Sequence, residues 1–518
     1  MAQVHVTAFP RRSSALIRYR EGPTVEASHW TEGPLGRLSA QLEGSCTLHC
    51  CGSSKALWQG AVSLSPSLDD PSIEVRPARA PAPWDISSPT LHTLNCTLRL
   101  GTRPPEKASL RFGFRSFRAV GGRFELNGRP IFLRGNSVNP PYRYIDDAVA
   151  FGHAFAYDYL RDLKRRGVNA VRIGDGASIS SQAWYDAADE LGVLIYAGPY
   201  GNPVCPGCKA KPPTRPPPAG SAAAALARYQ ALLMVTATHP SHVVLILGNE
   251  MDISGPRGHW GDAPYYRQYA ELLRSLARQL EAFDAERAYL GDAGFGEGLG
   301  GQVFDDHTYY GWYQGDPSAY YLHEAGGARG VAQPQTFTES VGNYLTAGGD
   351  FDVSGKNWAW ALKWAGPSQL EGAAARHAGW VQRASAEIVR RNRVLNPHLA
   401  GLMQFAAPFF YCGAHVRSFA DAAAAPSPML VASERSFAPI LLSIESWTPH
   451  AYVGSAVQLS VHVVNDDDAG AALGPTTVTW SLECDGSSGG GGGEGGGGGS
   501  AAASASASAS ASASASAS

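Results

Sequence analysis

Two glutamates in this 518-residue chain stand at the ends of apolar runs: Glu250 closes HPSHVVLILGNE, and Glu339 lies in TFTES. Two carboxyl groups brought together can cleave a glycosidic bond, one protonating the leaving oxygen while the other, ionised, attacks the anomeric carbon. Alone, either glutamate reads more readily as a capping or ion-paired carboxylate at a strand end. The chemistry therefore depends on whether the surrounding elements bring both to one face.

From Phe124 onward, short apolar runs alternate with longer amphipathic segments, the pattern of a βα-repeat around a parallel sheet. Eight runs read as strands: IFLRGNS (131–137), AVRIGD (170–175), VLIYAGP (193–199), HVVLILGNE (242–250), AYLGDAG (288–294), VFDDHTY (303–309), TFTES (336–340) and GLMQFAAP (401–408). Phe151, Phe155, Tyr159 and Leu163 recur every four residues and form one helical stripe to pack on the barrel wall. The expected fold class is α/β: a (β/α)8 TIM barrel flanked by small all-β, immunoglobulin-like sandwich segments. On that count Glu250 ends strand four and Glu339 ends strand seven, so both open on the catalytic face and converge across its mouth. The expected domains are a β-sandwich over 1–112, the barrel over 113–435, a β-sandwich cut short over 436–485, and a disordered Gly/Ala/Ser tail over 486–518. The proline-rich loop after strand three and the segment from about 341 to 372 after strand seven are placed to shape the pocket.

Composition narrows the partners. Hydrophobic residues make up 44% and charged residues 17%, with a formal net charge of −3, so neither nucleic acid nor an anionic membrane is implied. No run reaches the roughly 18–20 apolar residues of a membrane span, and the first residues do not read as a signal peptide, so the expectation is cytoplasmic by default. The eight cysteines are scattered, and a core of this size does not depend on disulfides. Cys205-Pro-Gly-Cys208 is a single CxxC inside a proline-rich loop, read as ordinary loop cysteines because no second pair completes a zinc site. Neither a metal nor another cofactor is expected.

Several blocks, in order, resemble the catalytic domain of glycoside hydrolase family 2, which includes β-galactosidases, β-glucuronidases and β-mannosidases. They are Gly113-Phe114-Arg115, FELNGRPIFLRGN, KRRGVNAVRI, WYDAADELGVLIY, HPSHVVLILGNE, HTYYGWY and QPQTFTES, and together they span roughly 113–410. PWDISSPTLHTLNCTLRL is similar to the last strands of the family's immunoglobulin-like domain, while too little chain precedes residue 113 for its N-terminal jelly roll. The resemblance implies Glu250 as acid/base and Glu339 as nucleophile, the roles that the residues alone suggest. It implies Asn249 as the asparagine that binds the sugar hydroxyl next to the anomeric carbon. His307, Tyr309 and Tyr310 fall in the HTYYGWY block, whose tyrosines resemble those of the β-glucuronidase branch, where one hydrogen-bonds the nucleophile. Trp312 and Tyr313 could stack on a sugar face. Arg172, ending strand two, is the natural cation for Glu339.

The chain also departs from the family pattern. Arg172 is followed by Ile173-Gly174-Asp175-Gly176 in place of a Ser-His-Tyr-Pro-like run, and Asn136 lies in a strand-one end that lacks the usual histidine and acidic residue. Asp175 and Asn136 are therefore candidates for a rebuilt sugar site. The Asn-x-Lys pair that reads a uronate carboxylate has no match, and Phe405 stands where tryptophan is common, leaving Trp358, Trp360 or Trp364 as stacking platforms. The expected function is a retaining hydrolase acting on a β-glycoside. A barrel that binds carbohydrate without cleaving it is the alternative. Oligomeric state leaves no signature in the sequence.

Overall fold

The computed structural model describes residues 3–10, 15–22, 40–50, 52–65, 72–138, 152–173, 182–198, 204, 214–251, 265–294, 300–312, 314–321, 332–342, 374–406, 418–423, 426–446, 452 and 455–479. Contacts gather residues 1–470 into one compact unit and 471–518 into another.

Antiparallel sheets open the first unit. Ala56–Leu64, Leu42–Cys50, His92–Leu100 and Glu106–Phe112 pair in that spatial order, and Gln3–Pro10, Ala15–Gly22 and Ser72–Val75 form a second sheet. Along His92–Leu100 every second residue turns inward, so Leu94, Cys96, Leu98 and Leu100 join Leu42, Leu48, Val62 and Phe112 in one core. Cys46 and Cys96 face each other across neighbouring strands with Cα atoms 4.1 Å apart and form a disulfide. That corrects the reading of the cysteines as unframed: spacing along the chain gave no hint of two residues placed opposite each other by sheet register. Cys205 and Cys208 lie outside the described residues.

The barrel strands follow, labelled here β1 (Leu133–Val138), β2 (Ala170–Ile173), β3 (Leu194–Ala197), β4 (His242–Ile246), β5 (Ala288–Leu290), β6 (Phe304–Thr308), β7 (Gln335–Ser340) and β8 (Leu399–Ala406). All eight sequence runs form strands. They pair in parallel in the order β5-β4-β3-β2-β1-β8-β7-β6, a TIM barrel whose ladder is open only between β5 and β6 among the described residues. Across that gap the Gly294 N–H donates to Asp305 Oδ2 at 2.9 Å.

The strands are buried on both faces, which is why β3 and β4 read as continuous apolar runs, while β6 and β7 bury polar side chains that face one another. Leu133, Ala170, Leu194, Tyr196, Val244, Leu290 and Met403 fill the interior, and Phe117, Phe124 and Leu126, from the small antiparallel sheet preceding β1, close its floor. On the outside pack helices α1 (His153–Arg165), α2 (Gln182–Leu191), α3 (Ser221–Val235), α4 (Tyr266–Phe283), α5 (Ala374–Arg391), α6 (Phe419–Ala423) and α7 (Pro428–Ser436). Phe155, Tyr159 and Leu163 of α1 are buried on the wall as their spacing predicts, while Phe151 lies outside the described residues. Ile440–Glu445 and Ser460–Asn465 form an antiparallel hairpin after α7. Among the described residues no helix is long and apolar enough to cross a membrane.

Candidate active site

The site is assembled by how strands end. After β4 the chain continues through Leu247-Gly248-Asn249 to Glu250, whose backbone N–H donates to Ala293 O at 2.8 Å. Glu250 has φ +48°, a left-handed conformation that disfavours side chains other than Gly, Asn and Asp. On the other side, β6 and β7 slip in register between Asp305 and His307, so His307 lies opposite Glu339. Irregularities of this kind re-aim side chains at a barrel rim.

Glu339 is nearly buried and doubly held. Arg172 NH1 donates to its Oε1 at 2.6 Å and the Tyr309 hydroxyl to its Oε2 at 2.6 Å. Burial alone would push its carboxyl up, but the charges of His307 and Arg172, with the Tyr309 hydrogen bond, outweigh it and hold the group below the usual glutamate value. Arg172 also donates through NH2 to Asn249 Oδ1, tying the ends of β2 and β4 together. His307 sits between the carboxylates: its Nδ1 is 3.0 Å from Glu250 Oε1 and 3.4 Å from Glu339 Oε2. Burial works against its charge, yet Glu339 and the Glu250 hydrogen bond raise its pKa above the ordinary value. One carboxylate oxygen from each glutamate and a ring nitrogen of His307 all lie within 4.8 Å of one another. The Glu250 side chain is 22% exposed, against 10% for Glu339, so the first is the more open to an incoming molecule.

The structure thus brings together Glu250, Glu339, Arg172, Asn249, His307 and Tyr309. It places other candidates elsewhere. Asn136 is fully buried with its Nδ2 3.3 Å from Gln404 Oε1, and Gln404 in turn donates to Met429 O of α7, so Asn136 faces the helices outside the barrel. The neighbouring Ser137, which pairs in register with Arg172, occupies the inward position instead. Trp312 is fully buried, edge-on to His377 of α5, and has no open face for a sugar. Tyr310 packs edge-on against Tyr320 with ring centroids 4.7 Å apart, on the same outer layer. Both follow the chain as it leaves β6 outward, whereas Tyr309 turns in. Asp175, Trp358, Tyr313, Trp360 and Trp364 lie outside the described residues.

Sequence reasoning assigned no part to Asp305 or Thr338. Asp305 is fully buried and accepts from Thr336 Oγ1 and Thr338 Oγ1, each at 2.7 Å, and from the Thr338 N–H at 3.0 Å. Burial raises its pKa, with His307 and the two threonines pulling the other way. The available signal was the spacing Asp305-x-His307, two polar residues on one face of a strand otherwise expected to be apolar.

Among the described residues, two groups have donor atoms close enough to ligate a metal ion. One is Glu250, His307 and Glu339, where the Arg172 cation opposes a second positive charge. The other is Asp186, Asp189 and His239, already engaged: Asp189 pairs with His239 Nδ1 at 2.6 Å and accepts the Ser241 N–H at 3.0 Å, while Asp186 pairs with Arg111 at 2.9 Å.

No family model matches the chain. Over 112 residues it is 31% identical to an exo-β-D-glucosaminidase of Amycolatopsis orientalis, covering 21% of this chain and 10% of that enzyme. Over 204 residues it is 28% identical to a β-galactosidase of Priestia megaterium, covering 37% of this chain and 18% of that enzyme. These stretches are similar in sequence to glycosidases. A β-glucuronidase of Bacteroides uniformis superposes on this chain with a TM-score of 0.59 at 15% identity, over 86% of this chain and 51% of the other. A putative β-galactosidase of Bacteroides fragilis does so with a TM-score of 0.56 at 16% identity, over 85% and 61%. The likeness to these solved structures is one of fold, and the chain spans only part of the relatives it matches.

Proposed function

We propose that the chain is a retaining hydrolase of β-glycosides, with Glu339 as nucleophile and Glu250 as acid/base, in a catalytic domain over 113–435. The observation that carries this is the pairing of the two carboxylates: oxygens from both lie within 4.8 Å, close to the ~5–5.5 Å separation of retaining enzymes and short of the ~6.5–9.5 Å that an inverting enzyme needs for a water. Their surroundings differ. His307, Arg172 and the Tyr309 hydroxyl favour the ionised form of Glu339, ready to attack, whereas Glu250 is the more exposed group and pairs with the His307 ring.

In the first step Glu339 bonds to the anomeric carbon as the glycosidic bond breaks, and the leaving oxygen takes a proton by way of Glu250. In the second, Glu250 accepts a proton from water, which attacks the anomeric carbon and frees Glu339. Asn249, steered by Arg172, is placed to hydrogen-bond the adjacent sugar hydroxyl. Among sequence relatives are β-galactosidases and an exo-β-D-glucosaminidase, which favours a neutral or amino sugar over a uronate.

A panel of nitrophenyl β-galactoside, glucoside, mannoside, glucuronide and glucosaminide tests the activity and names the sugar. On the best of these Glu339→Gly should lose at least about 10³-fold in kcat, and added azide should restore turnover as the glycosyl azide of inverted configuration. Wild-type rates in the variant would sink the proposal.

A further inference from the structure

His307 is not aimed at open solvent, as a residue that merely lines a sugar site would be; its side chain is 3% exposed. One ring nitrogen, Nδ1, addresses both glutamates, at 3.0 Å from Glu250 and 3.4 Å from Glu339. The other, Nε2, lies 3.4 Å from Thr338 Oγ1, 3.5 Å from Arg172 NH1 and 3.6 Å from Asp305 Oδ2. The ring is held in a fitted slot. A Cβ on Gly294 would stand 2.6 Å from Nδ1, and the Gly294 N–H itself fixes Asp305. Asp305 receives four hydrogen bonds, from Gly294, Thr336 and twice from Thr338, so the group behind the imidazole is immobile. The two carboxylates in front are not equivalent, since Glu339 already has Arg172 and Tyr309 as partners.

From this geometry we infer that His307 is a positioning residue for the acid: its Nδ1 and Glu250 Oε1 hold one proton between them, and that shared proton is the one delivered to the leaving oxygen. The inference rests on the proposed glycosidase reading. The proton count closes. With the proton on Glu250 the ring is neutral, and with it on Nδ1 the ring is an imidazolium between two carboxylates; the total is the same. In the first step the glycosidic carbon–oxygen bond breaks, its electron pair goes to oxygen, and that oxygen takes the proton from Glu250. The His307–Glu250 pair is then one proton short until water, attacking the glycosyl ester, returns one. The charged groups facing the ring are Glu250 from the β4 end, Arg172 from β2, Glu339 from β7 and Asp305 from its own strand, so the charge of the pair responds to all four.

The test is a leaving-group split. A 2,4-dinitrophenyl glycoside needs no proton on departure, whereas an alkyl glycoside does. His307→Asn should lower kcat/KM about 10²-fold on the alkyl glycoside, the usual worth of general acid catalysis, and only about threefold or less on the dinitrophenyl one. The alkaline limb of its kcat/KM profile should also shift. An equal loss on both substrates with an unmoved limb would overturn the inference, because a residue that only props the fold or the nucleophile affects both alike. His307→Gln provides the same comparison should the shorter side chain fail to fold. A readout free of turnover comes from nitrogen NMR of the His307 ring, whose titration midpoint should fall in Glu250→Gln; an unchanged midpoint would contradict a shared proton. Failure of the glycosidase reading shows itself separately, as full activity in Glu339→Gly or none in the wild type, and the NMR titration still decides the His307–Glu250 coupling.

Discussion

Arg172 ties three strand ends of the site together, reaching Glu339, Asn249 and His307 from one guanidinium. It is buried, so its attraction for Glu339 is little screened by water or salt. A carboxylate whose folded pKa is depressed contributes stability above its unfolded value, about 4.3, and that contribution is lost as pH falls through the lower folded value. The acidic limb of kcat/KM, if set by Glu339, therefore lies below the ordinary glutamate range. Arg172→Met keeps the bulk and removes the charge, leaving burial to dominate; the limb should move to higher pH, as a pH–rate profile on an aryl glycoside would record. An unmoved limb would mean that His307 and Tyr309 suffice. At this scale the sequence was legible where a residue type is tied to chemistry and a strand end, as for Glu250, Glu339 and Arg172. It was not legible for Asn136, because one position of strand parity decides between pocket and outer wall, nor for Trp312, which the turn after β6 carries outward. Asp305 escaped because its partners are threonines and a glycine N–H from other strands.

The strands themselves were readable because short runs of strand-forming residues alternate with amphipathic segments, and eight of them in βα alternation leave few other folds. What the runs could not convey is where the ring is irregular. The β5–β6 gap has no ladder among the described residues, and Gly294 and Asp305 substitute for it with one hydrogen bond. Gly294 has φ +96°, so a side chain there is strained before it meets anything, and its Cβ would then collide with the His307 ring. Gly294→Ala should consequently cost about 1–3 kcal/mol of stability. It should cost activity beyond that, about tenfold or more on an alkyl glycoside, since the imidazole must leave its slot. Denaturant titration and kcat/KM on the same preparation separate the two effects. Stability lost without any change in kcat/KM would show the slot to be slack. The paired slip of β6 against β7 is likewise invisible in the sequence, yet it places His307 opposite Glu339.

Across the whole first unit, buried cations tie the β-rich segments to the barrel floor. The Arg115 side chain donates to Pro240 O at 2.9 Å, His242 O at 2.8 Å and Glu286 O, carbonyls at the entries of β4 and β5. Arg287 reaches His242 O and Thr236 O nearby, and Lys164 of α1 donates to Ile86 O at 2.7 Å. Trp84 adds its indole N–H to Asp189 O at 2.8 Å, and Arg134 of β1 pairs with Asp468 at 2.7 Å after the C-terminal hairpin. These contacts share a cause. Strand entries at the floor present carbonyls that would be buried without donors, and a long cation supplies several at once. Burial pushes the Arg115 pKa down to about 10, so the group stays charged at neutral pH and keeps all of its donors. Arg115→Ala would take this donor from Pro240 O and Glu286 O and leave His242 O to Arg287 alone, and should destabilise the protein by about 2 kcal/mol or more. If the floor contacts make the β-rich segments and the barrel one cooperative unit, tryptophan fluorescence and far-ultraviolet circular dichroism should report one guanidinium midpoint in the wild type. In the variant that midpoint should fall, and the two signals should separate as the parts uncouple. Coincident, unshifted transitions would show that Arg115 occupies the floor without holding it, and the apolar closure by Phe117, Phe124 and Leu126 would then carry the coupling alone.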